Sequence, residues 1–198
     1  MKKKIAILTL VFVLGLLLGY FATNIQYYFF KSSVEQKIKT FYELLLPGST
    51  AEVMSLNEQN GVYKILVKID SAGTISYQEG YVTKDGKLLS MSDSTILVES
   101  SIDQVEKQKD FANCLYDSGV RIFGISNQTT QGGLATVYQL NILGSIYSPK
   151  LFVSCDGQFA QQCINAGISE VPSVVIGGNI DPGIKTVDWF QTKTGCKL

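Results

Sequence analysis

Histidine is absent from the 198-residue chain, and arginine occurs only once, at Arg121. Without imidazole, the sequence excludes histidine-dependent catalytic triads and most catalytic zinc sites. The 17 basic residues equal the 17 acidic residues in number, so the composition gives no sign of the basic face that nucleic-acid binding requires. We therefore predict no nucleic-acid partner, no metal site and no cofactor.

Charge is missing from residues 5–22, an apolar run of 18 residues. As a helix rising about 1.5 Å per residue it would be about 27 Å long, close to the thickness of the hydrocarbon core. A cleaved signal peptide is the alternative, but its apolar region usually spans about 7–15 residues and precedes small side chains at positions −3 and −1. Tyr20 or Phe21 would occupy position −3 here. We therefore predict a cytoplasmic tip and a transmembrane signal anchor over residues 1–31.

The charges beside this run predict its orientation. Lys2, Lys3 and Lys4 precede it, and the positive-inside rule keeps such an N-terminus in the cytoplasm. Without these three lysines and Lys31, 13 of the 17 basic residues remain against all 17 acidic ones, a net charge of −4 from Ser32 onward. The sequence thus predicts a single-pass protein of the cell membrane whose C-terminal domains are extracytoplasmic and mildly acidic.

Residues 32–100 predict a small domain that contains a helix and an antiparallel sheet. The segment Ser33-Val-Glu-Gln36 fits a capping box, and apolar residues recur at helical spacing until Pro47. Lys84-Asp-Gly-Lys87 is a hairpin signal, because Asp-Gly readily adopts the positive φ angles of a type I′ turn. Alternating patterns between such turns predict a four-stranded meander over residues 51–56, 62–69, 74–83 and 88–98.

Residues 101–198 change to an alternation of strands and helices. A helix that begins near Ser100 precedes predicted strands at 120–125, 150–155 and 173–176, with helices at 134–143, 158–166 and 187–193. Such an alternation favours a small α/β domain. The predicted fold class is therefore α+β followed by α/β, after an N-terminal transmembrane helix.

All four cysteines fall in this C-terminal part, and an even number on the oxidising side of a membrane predicts disulfide bonds. Three pairings are possible. Cys155 and Cys163 flank one short strand-to-helix connection, whereas Cys114 and Cys196 lie near the two ends of this part. Pairing by position gives Cys155–Cys163 and Cys114–Cys196. A zinc site is the rival interpretation, but the chain has neither histidine nor a Cys-x-x-Cys motif.

Several segments after residue 110 form a recognisable pattern: Phe111-Ala-Asn-Cys114, Gly119-Val-Arg-Ile-Phe-Gly124-Ile-Ser126, Val153-Ser-Cys155-Asp156, Cys163-Ile-Asn-Ala-Gly167-Ile168, Val171-Pro172-Ser173 and Thr194-Gly195-Cys196. Together they resemble the thioredoxin-like domain that is fused to or accompanies bacterial and archaeal vitamin K epoxide reductase homologues. The resemblance implies a thioredoxin-like domain over residues 101–198 with the same two disulfides. It also places Pro172 at the family's cis-proline, so that Val171 and Pro172 would border a site for an extended peptide.

The sequence departs from this family at the redox motif. The family's Cys-x-x-Cys would align with Gln128-Thr-Thr-Gln131. Thiol–disulfide exchange needs a thiolate to attack sulfur and a second thiol to resolve the mixed disulfide, and glutamine supplies neither. We therefore predict no catalytic residue at the degenerate positions Gln128 and Gln131, and a protein that is not an enzyme. The following Gly132-Gly133 would also weaken the start of the next helix.

The segment Asn127-Gln-Thr129 is the one sequon for N-glycosylation in the chain. It lies in the loop where the family has its redox motif. A glycan on Asn127 would cover that surface, so this residue is a candidate modification site in a host with the required machinery.

Two functions fit these residues. The first is a membrane-anchored, extracytoplasmic protein without thiol chemistry that binds a protein or peptide partner, as a free module or as an accessory of the disulfide-formation and protein-folding system. The alternative is a thiol–disulfide oxidoreductase or isomerase that uses Cys155 and Cys163. The helix and meander of residues 32–100 also resemble the dimerisation domain of periplasmic disulfide isomerases, which implies a homodimer.

Overall fold

The computed structural model describes residues 31–91 and 94–198. Within these residues, the protein contains no helix that is both long enough and apolar enough to cross a membrane. The apolar run at 5–22 and the orienting lysines at positions 2–4 lie outside the described residues. The location at the cell membrane stays a prediction.

The described chain divides into two compact units. The N-terminal unit contains the described residues up to Glu43 together with Gly48–Ser101. The C-terminal unit contains Leu44–Pro47 together with Ile102–Leu198. The division after Ser101 lies one residue beyond the end of the predicted 32–100 domain.

A helix and a five-stranded antiparallel sheet form the N-terminal unit. Helix α1 comprises residues 31–45 in the described range. Ile38 and Phe41 of this helix are buried, as are alternate residues of the second strand, among them Ile65 and Val67. This alternation with period 2 identifies the core face of the sheet. In chain order, the strands are β1 (Ser49–Gln59), β2 (Val62–Ser71), β3 (Thr74–Thr83), β4 (Leu88–Met91) and β5 (Ser94–Leu97), each paired with the next.

The prediction of four strands in this sheet was wrong. Residues 88–98 do not form one strand, because β4 and β5 pair antiparallel with each other, Leu88 opposite Leu97 and Met91 opposite Ser94. Serine and aspartate stand at positions 92 and 93, and both residue types favour turns. The pattern of apolar residues on both sides concealed this turn signal.

Helices and a four-stranded mixed sheet form the C-terminal unit. The sheet order is β7-β6-β8-β9, in which β6 is parallel to β7 and antiparallel to β8, and β8 is antiparallel to β9. The elements are α2 (Val98–Asp117), β6 (Arg121–Gly124), α3 (Gln131–Ile142), β7 (Phe152–Ser154), α4 (Ala160–Asn165), β8 (Ser173–Ile176), β9 (Asn179–Pro182) and α5 (Val187–Thr194).

The predicted fold class was therefore wrong. An α/β domain needs a mostly parallel sheet, whereas only one of the three strand pairs in this unit is parallel. The described chain is α+β, with antiparallel pairing dominant in both sheets.

Strand β9 is the element that the sequence reading missed. Gly177 and Gly178 have φ angles of +57° and +84°, and they join Ile176 to its partner Asn179 in a two-residue hairpin. Glycine adopts such angles without steric cost, which makes this dipeptide a strong hairpin signal. The strand itself reads Asn-Ile-Asp-Pro, a composition that is unfavourable for a strand and concealed it.

The core of the C-terminal unit gathers apolar side chains from α2, the central strands and α5. Phe111, Leu115, Ile122, Val174 and Phe190 are all fully buried. Their burial explains the apolar spacing along α2 and the short apolar strands β6 and β8.

A buried glutamine fastens helix α3 to the loop before α5. The side chain of Gln139 has no exposed surface. Its Nε2 donates to the Lys185 carbonyl at 3.1 Å, and its Oε1 accepts from the Lys185 N–H at 2.5 Å. Both polar ends of the amide are thereby satisfied, as burial requires.

Replacing Gln139 with alanine would leave the two Lys185 backbone groups without these partners. We expect Gln139→Ala to lower the free energy of unfolding by about 1–3 kcal/mol, the usual penalty for an unsatisfied buried polar group. Urea unfolding followed by the fluorescence of Trp189, the single tryptophan, measures this change in the C-terminal unit. Gln158→Ala, at an exposed glutamine, is the matched control. Equal stabilities of the two variants would contradict the assignment.

Candidate functional site

The four cysteines form two disulfide bonds, Cys114–Cys196 and Cys155–Cys163. The first links residues 82 positions apart, from α2 to the chain beyond α5, and Cys196 is buried in the core. The second closes a short loop between β7 and α4. The described chain has no free cysteine.

The loop with the predicted degenerate positions connects β6 to α3. Gln128 and Gln131 are both exposed. Helix α3 begins at Gln131, three residues earlier than the predicted start at 134, because Thr130 caps it by accepting a hydrogen bond from the Gly133 N–H at 3.1 Å. At Gly133 the fold requires glycine, because any side chain would collide with the Asn127 carbonyl oxygen; the weakening of this helix start by two glycines stays a prediction.

Close packing of Thr136 against Gly124 holds this loop between β6 and α3. The hydroxyl of buried Thr136 donates to the Gly132 carbonyl at 2.7 Å and accepts from the Ile125 N–H at 3.2 Å. A Cβ atom at Gly124 would overlap the Thr136 side chain. The strand end and the helix start are therefore fixed to each other by one side chain.

Asp156 connects the short disulfide loop to the same region. Its carboxylate accepts from the N–H and the hydroxyl of Ser126, both at 2.6 Å, and from the Ser154 hydroxyl at 3.3 Å. The hydrogen bonds from Ser126 lower the pKa of Asp156, because they stabilise the charged form. No local pattern in the sequence predicts this role of Asp156, because its partner lies 30 residues away.

The Val171–Pro172 peptide bond is cis. The Pro172 carbonyl accepts from the Gly183 N–H at 2.8 Å. In contrast, neither backbone group of the half-buried Val171 has a hydrogen-bonding partner among residues 31–91 and 94–198. A Cβ atom built on Gly132 would lie 3.0 Å from Val171 Cγ2. The structure thus brings the start of α3, beside Gln131, next to Val171.

An open groove of about 210 Å³ adjoins Val171. We call it the isoleucine groove, because three of its lining residues are isoleucines. Its lining consists of Ile125, Cys155, Ala160, Cys163, Ile164, Ile168, Ser169, Glu170 and Val171. The sequence reading found the disulfide and Val171 but missed the isoleucines, which come from a strand end, from α4 and from the following turn.

No family model, curated protein or solved structure matches this chain. The resemblance to thioredoxin-like domains therefore stays a prediction. So does the pairing of two copies, since no partner chain is present.

Among the residues that it describes, the structure shows no group of side chains at the groove that could bind a metal ion. Within the described residues, no cluster of three or more cysteine, aspartate or glutamate side chains could hold a metal ion.

Asn127 is exposed, and its Oδ1 accepts from the N–H and the hydroxyl of Thr129 at 3.0 and 2.7 Å. Its glycosylation stays a prediction.

The lowered pKa of Asp156 predicts a pH dependence of stability. A carboxyl whose pKa falls on folding stabilises the folded state above its usual value of 3.8, and this contribution is lost as the pH falls through the lower folded value. We expect Asp156→Asn to be less stable than the wild type at neutral pH and to lose less stability on acidification. Urea midpoints followed by Trp189 fluorescence across the acid range measure both. Parallel pH profiles of the two proteins would contradict the role of Asp156.

The two disulfides should differ in their effect on stability. In the chain-entropy model, a bond across 82 residues contributes about 4.5 kcal/mol and one across 8 residues about 2.5 kcal/mol. We therefore expect Cys114→Ala/Cys196→Ala to lower the urea midpoint more than Cys155→Ala/Cys163→Ala does. The reverse order would indicate that the Cys155–Cys163 bond stabilises the folded state more than the Cys114–Cys196 bond does.

Proposed function

We propose that the C-terminal unit binds an extended segment of a peptide or protein in the isoleucine groove and takes no part in thiol–disulfide exchange. The observation that carries the proposal is the free backbone of Val171 at the edge of an apolar groove. A free N–H and a free carbonyl on one residue can form the paired hydrogen bonds with which an extended chain adds to a protein edge. The apolar wall can then take a side chain of that chain.

The state of the cysteines supports the absence of thiol chemistry. Exchange begins with a thiolate, and all four cysteines are joined in disulfides. The exposed loop nearest to Val171 presents Gln128 and Gln131 instead of cysteines. Amide side chains can donate and accept hydrogen bonds, which suits a binding surface.

Two disulfides also support a location outside the cytoplasm. Disulfides persist in oxidising compartments and are rare where thiols are kept reduced. We therefore place the proposed binding partner on the extracytoplasmic side, where unfolded or secreted chains offer extended segments.

One observation favours the alternative function of an oxidoreductase. Cys155 and Cys163 both line the isoleucine groove, so a bound peptide with a thiol could reach their disulfide. Against it, Cys163 is only 4% exposed, and a buried sulfur is poorly placed for attack.

The binding proposal predicts that loss of apolar surface in the groove weakens peptide binding. Ile164 lines the groove and is 61% exposed, and Leu97 in the N-terminal unit is 60% exposed. We expect Ile164→Ser to weaken the binding of extended peptides with a central isoleucine about fivefold or more, because burial of such a side chain contributes about 1.5–3 kcal/mol when complete. Leu97→Ser should leave binding unchanged. Fluorescence polarisation with labelled peptides measures both affinities.

The two functions separate in a redox assay. The binding proposal expects the wild type and Cys155→Ala/Cys163→Ala to reduce insulin at the same background rate. It also expects no mixed disulfide with a thiol-bearing peptide in the groove. A covalent peptide adduct at Cys155 or Cys163 would overturn the proposal and establish the alternative.

A further inference from the structure

The isoleucine groove carries an uncompensated negative charge. Glu170 is the single charged residue among those that line it. Its side chain is exposed, and it forms no ion pair or hydrogen bond with any residue in the described ranges, while its backbone carbonyl accepts from the Ser173 hydroxyl at 2.6 Å. The carboxylate is therefore available to a ligand.

The basic side chains that hydrogen-bond within this unit have partners away from the groove lining. Arg121 donates to the Val120 carbonyl at 2.7 Å, Lys150 to the Asn113 side chain at 2.5 Å and Lys185 to the Pro182 carbonyl at 2.6 Å. A second carboxylate, that of Asp156, immediately follows the lining residue Cys155. The charged residue of the groove lining is thus an acid, and a second acid follows the lining in the chain; both oxygens of Glu170 are free of hydrogen bonds within the described residues, whereas Asp156 Oδ2 accepts three.

The size of the groove restricts what it can hold. Pockets that enclose drug-sized ligands have volumes of about 300–1,000 Å³, and the isoleucine groove has about 210 Å³. Its volume suits one apolar side chain of an extended chain. Side chains of an extended chain alternate between two sides, so the side chain two positions farther along would again face the lining, to which Glu170 belongs.

We propose that the ligand of the groove is an extended peptide in which an apolar residue lies two positions from a lysine or an arginine, so that both side chains face the groove. This inference rests on the proposed function and adds the class of peptide. The apolar side chain fills the groove, the Val171 backbone pairs with the peptide backbone, and the basic side chain lies against the Glu170 carboxylate. An exposed ion pair of this kind changes affinity by about two- to fivefold at low salt, and salt screens it.

The test uses the full chain and three labelled peptides that differ only at the second residue after a central isoleucine, which is lysine, glutamine or glutamate. We expect the wild type to bind the lysine peptide about two- to fivefold more tightly than the glutamine peptide, and the glutamate peptide most weakly. The difference should shrink in high salt. Glu170→Gln should remove the preference, whereas Glu106→Gln, at an exposed glutamate of α2, should retain it.

Three results would overturn the inference, and the first two are distinguishable from the third. If the three peptides bind equally to the wild type at low salt, or if Glu170→Gln keeps the full preference, the charge assignment is wrong while binding in the groove stands. If no isoleucine peptide binds at all, the proposed function fails as well. The salt dependence of the wild type tests the charge without any variant, so a misfolded Glu170→Gln protein would not decide the result.

Discussion

The contact between Thr136 and Gly124 is the constraint on which the candidate site depends. A side chain larger than hydrogen at Gly124 would overlap Thr136, and the Thr136 hydroxyl binds backbone groups on both sides of the loop. Interiors are packed tightly enough that such a contact fixes the distance between a strand and a helix. The start of α3, and with it Gly132 beside Val171, is positioned by this one contact.

Local patterns predicted much of the fold. Strand β3 begins and ends at the predicted residues, Thr74 and Thr83, because glycine turns bound it on both sides. The separation of β4 from β5 was not predicted, because a turn signal stands inside an apolar stretch of the sequence. Strand β9 was not predicted either, because its four residues have little strand preference and are held by pairing with β8. The wrong fold class came from the C-terminal unit alone, where β8 pairs antiparallel with both β6 and β9.

The site was less predictable than the fold. Its disulfide and Val171 carried signals in the sequence, because cysteine and proline constrain the chain in recognisable ways. The groove did not, because its wall combines Ile125 with Ile164 and Ile168, about 40 residues farther along. The hydrogen bonds from Ser126 to Asp156 span 30 residues and leave no local pattern. Tertiary proximity of this kind is not encoded in periodicity or spacing.

The hydrogen bonds of Gln139 and Pro172 have a joint consequence for Val171. The Gln139 side chain of α3 hydrogen-bonds to the backbone of Lys185. Two residues before Lys185, the Gly183 N–H donates to the Pro172 carbonyl. Val171, which precedes Pro172, lies beside Gly132 in the first turn of α3. The contacts close a ring that begins and ends on one helix. Each segment of such a ring is held from two sides, so the edge offered by Val171 is ordered during folding. The binding of a ligand at this edge therefore carries no further entropic cost for ordering it.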